Sequence, residues 1–213
     1  MSAADVVLAL DTALDIAAVR RLHDYADLDD AGVTRAFEQM RMQRLGHLRL
    51  PAYLLAIRQV VAIVDDGGDI RVVDIDGSGD EAAMLDRLEQ QLSTAAGTLV
   101  LWDTQDMELL GMRAFMHDRP LRLSTRHSRV FELAESLAVD AEHPSTDTER
   151  DIITLTGLPA VDSAASPGAR LRAIACNRYR LWLRWQTCRG ELTAGERAAR
   201  ERALARPHTP EPA

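Results

Sequence analysis

The sequence predicts a single α/β domain in which a mixed β-sheet is flanked by helices. Three observations carry that expectation. Short apolar runs rich in Val, Ile and Leu, such as "ADVVLAL" and "GTLVLWD", read as buried strands. Longer stretches with apolar residues three and four apart read as helices and lie between those strands. One segment, Asp65-Asp66-Gly67-Gly68, sits between two β-branched runs and gives a hairpin, hence an antiparallel pair. The length, 213 residues, suits one continuous core.

The elements follow in order. Residues 4–10 form a buried strand, and 13–24 and 29–45 show helical spacing, with Asp29 or Asp30 as a cap for the second helix. "AIRQVVAIVDDGGDIRVVDID" is the hairpin, its turn supplied by glycines that accept positive φ. A helix over 79–93 carries Met84, Leu85, Leu88 and Leu92 on one side. A strand over 97–103 and a helix over 105–117 come next. A short strand is expected around Leu121, before a helix from about 129 to 139. Thr146 or Thr148 opens a helix that ends at Gly157. Residues 170–189 form a long helix with Ile174, Leu181, Trp182 and Trp185 on its apolar faces; Gly190 stops it, and a charged helix covers 193–206. The domain therefore spans 1–206, and the tail 207–213, "PHTPEPA", is expected to be disordered.

Composition narrows the function classes. Apolar content of 46% and charged content of 27% are those of a globular chain. No apolar run reaches a membrane span and no signal-peptide pattern opens the sequence, so a cytoplasmic protein with no membrane partner is expected. Cys176 and Cys188 fall in one helix, roughly 18 Å apart at 1.5 Å per residue, and fit reduced thiols rather than a disulfide. All 25 basic residues are arginine. Residues 1–168 hold 15 Arg against 29 Asp and Glu, whereas 169–206 hold 10 Arg against 3 Glu. That basic segment is suited either to an anionic strand or to the acidic body of the protein itself.

Single motifs are mostly structural. "GGD" at 67–69 is a hairpin turn, because Ile70 follows where a nucleotide-cyclase signature needs an acidic-aromatic continuation. No two histidines lie three or four apart on a helix, which disfavours zinc. The sequence has no G-x-S-x-G elbow, phosphate-binding loop or dinucleotide fingerprint. Trp182 and Trp185 have the geometry to stack bases, but helical spacing with Leu181 and Leu183 favours the core.

Longer stretches, taken in order, say more. "LPAYLLAIRQVVAIVDDGGDIRV" (50–72), "LVLWD" with "MRAFMHD" (99–103, 112–118), "DIITLTGLP" (151–159) and "LWLRWQTCRGELTAGE" (181–196) are collinear with stretches of a known family. From about residue 6 to 205 the chain resembles the predicted 3′–5′ exonuclease family related to the proofreading domain of family-B DNA polymerases, which has an RNase H-like fold of the DEDD type. The resemblance implies four carboxylates from three motifs, holding two divalent metals about 4 Å apart, with a tyrosine orienting the attacking water.

Several of those positions have changed. In the frame of the family's Asp-Ile-Glu-Thr motif, "ALDTALD" puts Ala9 at the aspartate, Asp11 at the glutamate, Thr12 at the threonine and Asp15 at a later aspartate; a two-residue slip puts Asp11 first and Ala13 second. Either way one of two acids is missing. "WDTQDM" keeps Trp102 and offers Asp106 as the second motif's acid, in a loop two residues shorter. "VFELAE" has Glu132 and Glu135 at the acids of a His-x-Asp-Leu-x-Asp motif. "RLRAIACNRY" keeps Asn177 and Tyr179 but has Arg170 at the water-orienting tyrosine and Ile174 at the last catalytic aspartate.

The resemblance thus implies a degenerate exonuclease-like protein that binds a nucleotide, a nucleic-acid end or a protein partner without efficient cleavage. Asp11 and Asp106 are the possible remnants of a metal site, weak or lost, with Glu132 as a possible third acid. Thr12, Trp102, Arg170, Arg172 and Asn177 are the candidates for substrate or phosphate contacts. No cofactor is expected, with Mg²⁺ or Mn²⁺ implied only if activity survives. The alternatives are a weak metal-dependent exonuclease acting on single-stranded DNA or RNA ends, and a protein-interaction module.

Overall fold

Strand β1 (Asp5–Leu14) takes the middle of the sheet because it is apolar on both faces: Val6 and Leu8 enter one core layer, Val7 and Ala9 the other. The computed structural model describes residues 3–25, 27–47, 50–77, 79–137 and 146–206. Against β1 lie β2 (Leu55–Asp66), antiparallel, and β4 (Thr98–Leu101), parallel. The hairpin partner β3 (Asp69–Asp76) and the parallel strand β5 (Arg129–Glu132) complete a mixed sheet ordered β3-β2-β1-β4-β5. The hairpin turns at Gly67 and Gly68, whose φ values of 67° and 110° suit residues without a Cβ.

Helices cover both faces. On one, α3 (Glu81–Gln91) and α4 (Thr104–Met116) pack Met84, Leu85, Leu88 and Leu110 onto Val6, Leu8 and Val60. On the other, α7 (Thr146–Leu155), α8 (Pro167–Cys188) and α9 (Ala194–Leu204) pack Ile153, Ala175, Tyr179, Trp182 and Leu204 onto Val7, Ala9, Val61 and Ile63. Between β1 and β2, α1 (Ile16–Leu22), α2 (Asp30–Leu45) and a 3₁₀ turn (Ala52–Leu54) build a small core of their own from Ala18, Val19, Val33, Phe37 and Leu54. The result is one mixed α/β domain, in which no described helix is long and apolar enough to cross a membrane.

Several expected boundaries move. A bulge between Asp11 and Thr12 lets β1 keep pairing with β2 as far as Leu14, so α1 starts only at Ile16, capped by Asp15. The segment expected as a strand then a helix is reversed. Helix α5 (Leu123–Arg126) precedes β5, and α6 (Leu133–Ser136) follows it. Val130 and Phe131 pair with Leu99 and Val100, and that sheet contact overrides the helical spacing of the stretch. Helix α8 begins earlier than expected, at Pro167, behind the cap Ser166. Trp182 is buried and Trp185 packs against the same core, as their spacing predicts, and both cysteines are free. The tail 207–213 lies outside the described residues.

The basic C-terminal segment turns partly inward. Arg172 reaches Asp74, Arg178 reaches Asp106 and Glu149, and Arg200 reaches Asp65. The acidic body is thus a partner of its own arginines.

Candidate functional site

The candidate site forms at the carboxyl end of β4, beside the middle of β1. The two strands pair at Val6–Leu99 and Val7–Val100, and the crevice beyond the carboxyl ends of such strands is where open α/β sheets place ligands. Asp103 caps α4, its Oδ1 accepting from the Gln105 N–H at 2.8 Å, which sets Asp106 in the helix's first turn. From the opposite layer, α8 brings Ile174 and Arg178 one helical turn apart, and α7 brings Glu149.

Arg178 joins these elements. Its Nη1 donates to the Leu8 carbonyl at 2.8 Å and to Asp106 Oδ2 at 2.9 Å. Its Nε and Nη2 donate to the two Glu149 oxygens at 2.7 and 3.0 Å, a bidentate pair. The guanidinium is buried. Desolvation opposes its charge, yet Glu149 and Asp106 hold it above the ordinary arginine range. Burial pushes the Asp106 carboxyl up, with Asp103 and Glu149 adding to the push and Arg178 opposing it. Burial likewise raises Asp103 and Glu132; Glu135 and Asp103 add to the rise at Glu132.

The sequence-predicted residues are spread over several separate places. Asp106 is in the crevice and is tied to Arg178. Asp11 lies at the β1 bulge, on the strand face of Val7 and Ala9, with Thr12 just beyond; its carboxylate has no hydrogen-bonding partner among the described residues. Glu132 ends β5, two strands away from β1. Trp102 is buried in the core, with no hydrogen-bond partner for its Nε1. Asn177 is buried as well: its Nδ2 donates to the Pro159 carbonyl at 2.9 Å, and its Oδ1 accepts from Arg180 at 3.0 Å. Arg170 reaches the Ser163 carbonyl at 3.4 Å, and Arg172 reaches Asp74 Oδ2 at 3.4 Å. Tyr179 is turned into the core, donating to Asp65 Oδ2 at 2.8 Å.

This donor set does not fit a two-metal centre. The side chains of Ala9 and Ile174 offer no oxygen, and Asp106 Oδ2 accepts from a fixed cation. Among the described residues no group of three or more His, Cys, Asp or Glu is placed to hold a metal ion. A guanidinium supplies positive charge to carboxylates but has no empty orbital with which to activate water.

Arg178 and Glu149 were not singled out by sequence reasoning. A signal existed: Leu171, Ile174, Arg178, Leu181 and Trp182 share one helical stripe, and an arginine inside an apolar stripe needs a buried acid. Nothing in the sequence identifies that acid, because Glu149 comes from a separate helix.

A second ionic cluster ties the other layer together. Arg113 donates to Asp15 Oδ2 at 2.9 Å and, through its Nε, to both Glu81 oxygens at 2.9 Å. Glu81 also accepts from the Ile57 N–H at 2.7 Å and lies 2.9 Å from His117 Nε2. The cluster joins the cap of α1, the start of β2, α3 and α4, so its role is cohesion. No protein-family model matches the chain, and no curated protein sequence matches it significantly, so the function is read from this geometry.

Proposed function

We propose that the protein is a degenerate exonuclease of RNase H-like fold that has kept the architecture and serves as a binding protein without cleavage. The observation that carries this reading is Arg178, whose guanidinium bridges Asp106, Glu149 and the Leu8 carbonyl, where a metal-dependent nuclease needs a free carboxylate cluster. The strand order supports it. A five-stranded sheet ordered 3-2-1-4-5, with only the second strand reversed, is the arrangement that an RNase H-like fold requires.

The ligand is a protein rather than a nucleic-acid end. Two groups suited to phosphate are engaged inside the molecule, Arg178 by carboxylates and Asn177 by a backbone carbonyl, and the exposed Arg172 leans on Asp74 at 3.4 Å. The overall charge of −8 also opposes a polyanion. The outer face of α4, by contrast, exposes Met112, Phe115 and Met116 at helical spacing, with Phe115 82% exposed. One incubation tests both halves of the reading: a fluorescent single-stranded oligonucleotide with Mn²⁺ and excess protein, followed by anisotropy and by gel. Neither binding nor shortening is expected. Shortening that disappears in Asp106→Asn would return the weak exonuclease, and salt-sensitive binding would return the nucleic-acid end.

A further inference from the structure

An open pocket of about 250 Å³ lies between α1, α2 and the 3₁₀ turn and shares no lining residue with the Arg178 site. Its floor is Phe37 and Leu54, which belong to the small third core. Its mouth is formed by Leu22, Leu45 and Tyr53, which are 58%, 53% and 47% exposed. Three large apolar side chains left in water around an apolar hollow are a cost in the free protein, and a ligand that covers them recovers it.

The charge at the mouth is of one sign. His23, Arg41 and Arg44 line the pocket and no acid does. Arg20, on the adjacent α1, is already paired with Asp30, so Arg41 and Arg44 are the arginines of the pocket itself, in a chain of net charge −8. Arg41 lies with its guanidinium carbon 5.7 Å from the centre of the Phe37 ring, and His23 packs against the same ring at 5.5 Å between centroids. Arg44 is exposed and pairs with no acid among the described residues. An apolar hollow with a few cationic groups at one end is the pattern of a small-molecule site, and this volume falls just below the ~300–1,000 Å³ typical of drug-sized ligands.

We propose that this pocket binds a small amphipathic carboxylate. Its medium-length aliphatic or single-ring tail lies over Phe37 and Leu54, and its carboxylate meets Arg44 at the mouth. A carboxylate suits the planar fork of an arginine, which gives two parallel hydrogen bonds. A cationic amphiphile fills the same hollow but meets like charge. The site stands apart from the crevice, so its test reads independently of any nuclease activity.

Titration calorimetry on the full-length protein tests the proposal, with decanoate, decyltrimethylammonium and acetate each kept below micelle formation. Decanoate is expected to bind saturably at one site, while the other two give no saturable heat. Binding is expected to weaken about tenfold in Arg44→Glu, the loss that one charge-assisted contact implies. It should weaken similarly in Leu45→Glu, which places a charge in the mouth. Both positions are exposed, and unchanged circular dichroism identifies properly folded variants. Absence of saturable decanoate binding, undiminished binding in both folded variants, or equal binding of the cation would overturn the proposal.

Discussion

Arg178 ties β1, α4 and α7 together through one buried side chain. A metal ion held by Asp106 and Glu149 would keep coordination positions open to water and substrate, whereas the guanidinium, bound to the same carboxylates by hydrogen bonds, offers none. Removing one partner of a buried ionic cluster leaves the others uncompensated, so Arg178→Met is expected to destabilise the protein by about 3–5 kcal/mol. Adding Asp106→Leu and Glu149→Leu to that variant removes the stranded charges, and urea unfolding should then return to wild-type stability or above. Glu81 gives a second test at this scale. Burial opposes its ionisation, yet hydrogen bonds from Arg113 and the Ile57 N–H hold its carboxyl below the ordinary value of 4.5. A folded-state pKa below the unfolded one gives stability that is present above the ordinary carboxylate value and is lost as pH falls through and below it. Glu81→Gln is therefore expected to cost about 1.5–3 kcal/mol near neutral pH and progressively less in acid, measured by urea midpoints across that range.

Elements were legible in the sequence where one local signal decided them. The β2–β3 hairpin, the cap at Asp29 (one of two aspartates the sequence offered), the break at Gly190 and the core side of α8 all follow from turn chemistry or period. Strand β5 was not legible. Its four residues are strand only because β4 lies beside them, and the short helices α5 and α6 on either side are fixed by the same packing. The candidate site was legible in part: Asp106 was singled out from the sequence and lies beside Arg178, while the Arg178–Glu149 pair depends on α7 and α8 packing together on one sheet face. Glycine positions test the local reading. Gly68 has φ of 110° and its N–H donates to Asp65 Oδ1 at 2.8 Å, so Gly68→Val is expected to cost about 1–2 kcal/mol. Gly111 lies exposed within α4, with open space where a Cβ would stand, and Gly111→Ala should instead add about 0.5–1 kcal/mol. Opposite shifts in thermal midpoint check the pair.

At the scale of the whole molecule, three cores divide the work. The two sheet faces hold α3–α4 and α7–α9 in place and so bring Arg178 to the crevice, while the α1–α2 layer closes a separate hollow over Leu54. The central claim is that a fixed guanidinium stands in the crevice in place of catalytic metal. Manganese binding, followed by the loss of the free Mn²⁺ signal in electron paramagnetic resonance, tests it most directly. The account predicts that the wild-type protein leaves the free signal undiminished at stoichiometric Mn²⁺. A stoichiometric loss of signal that is abolished by Asp106→Asn would contradict it.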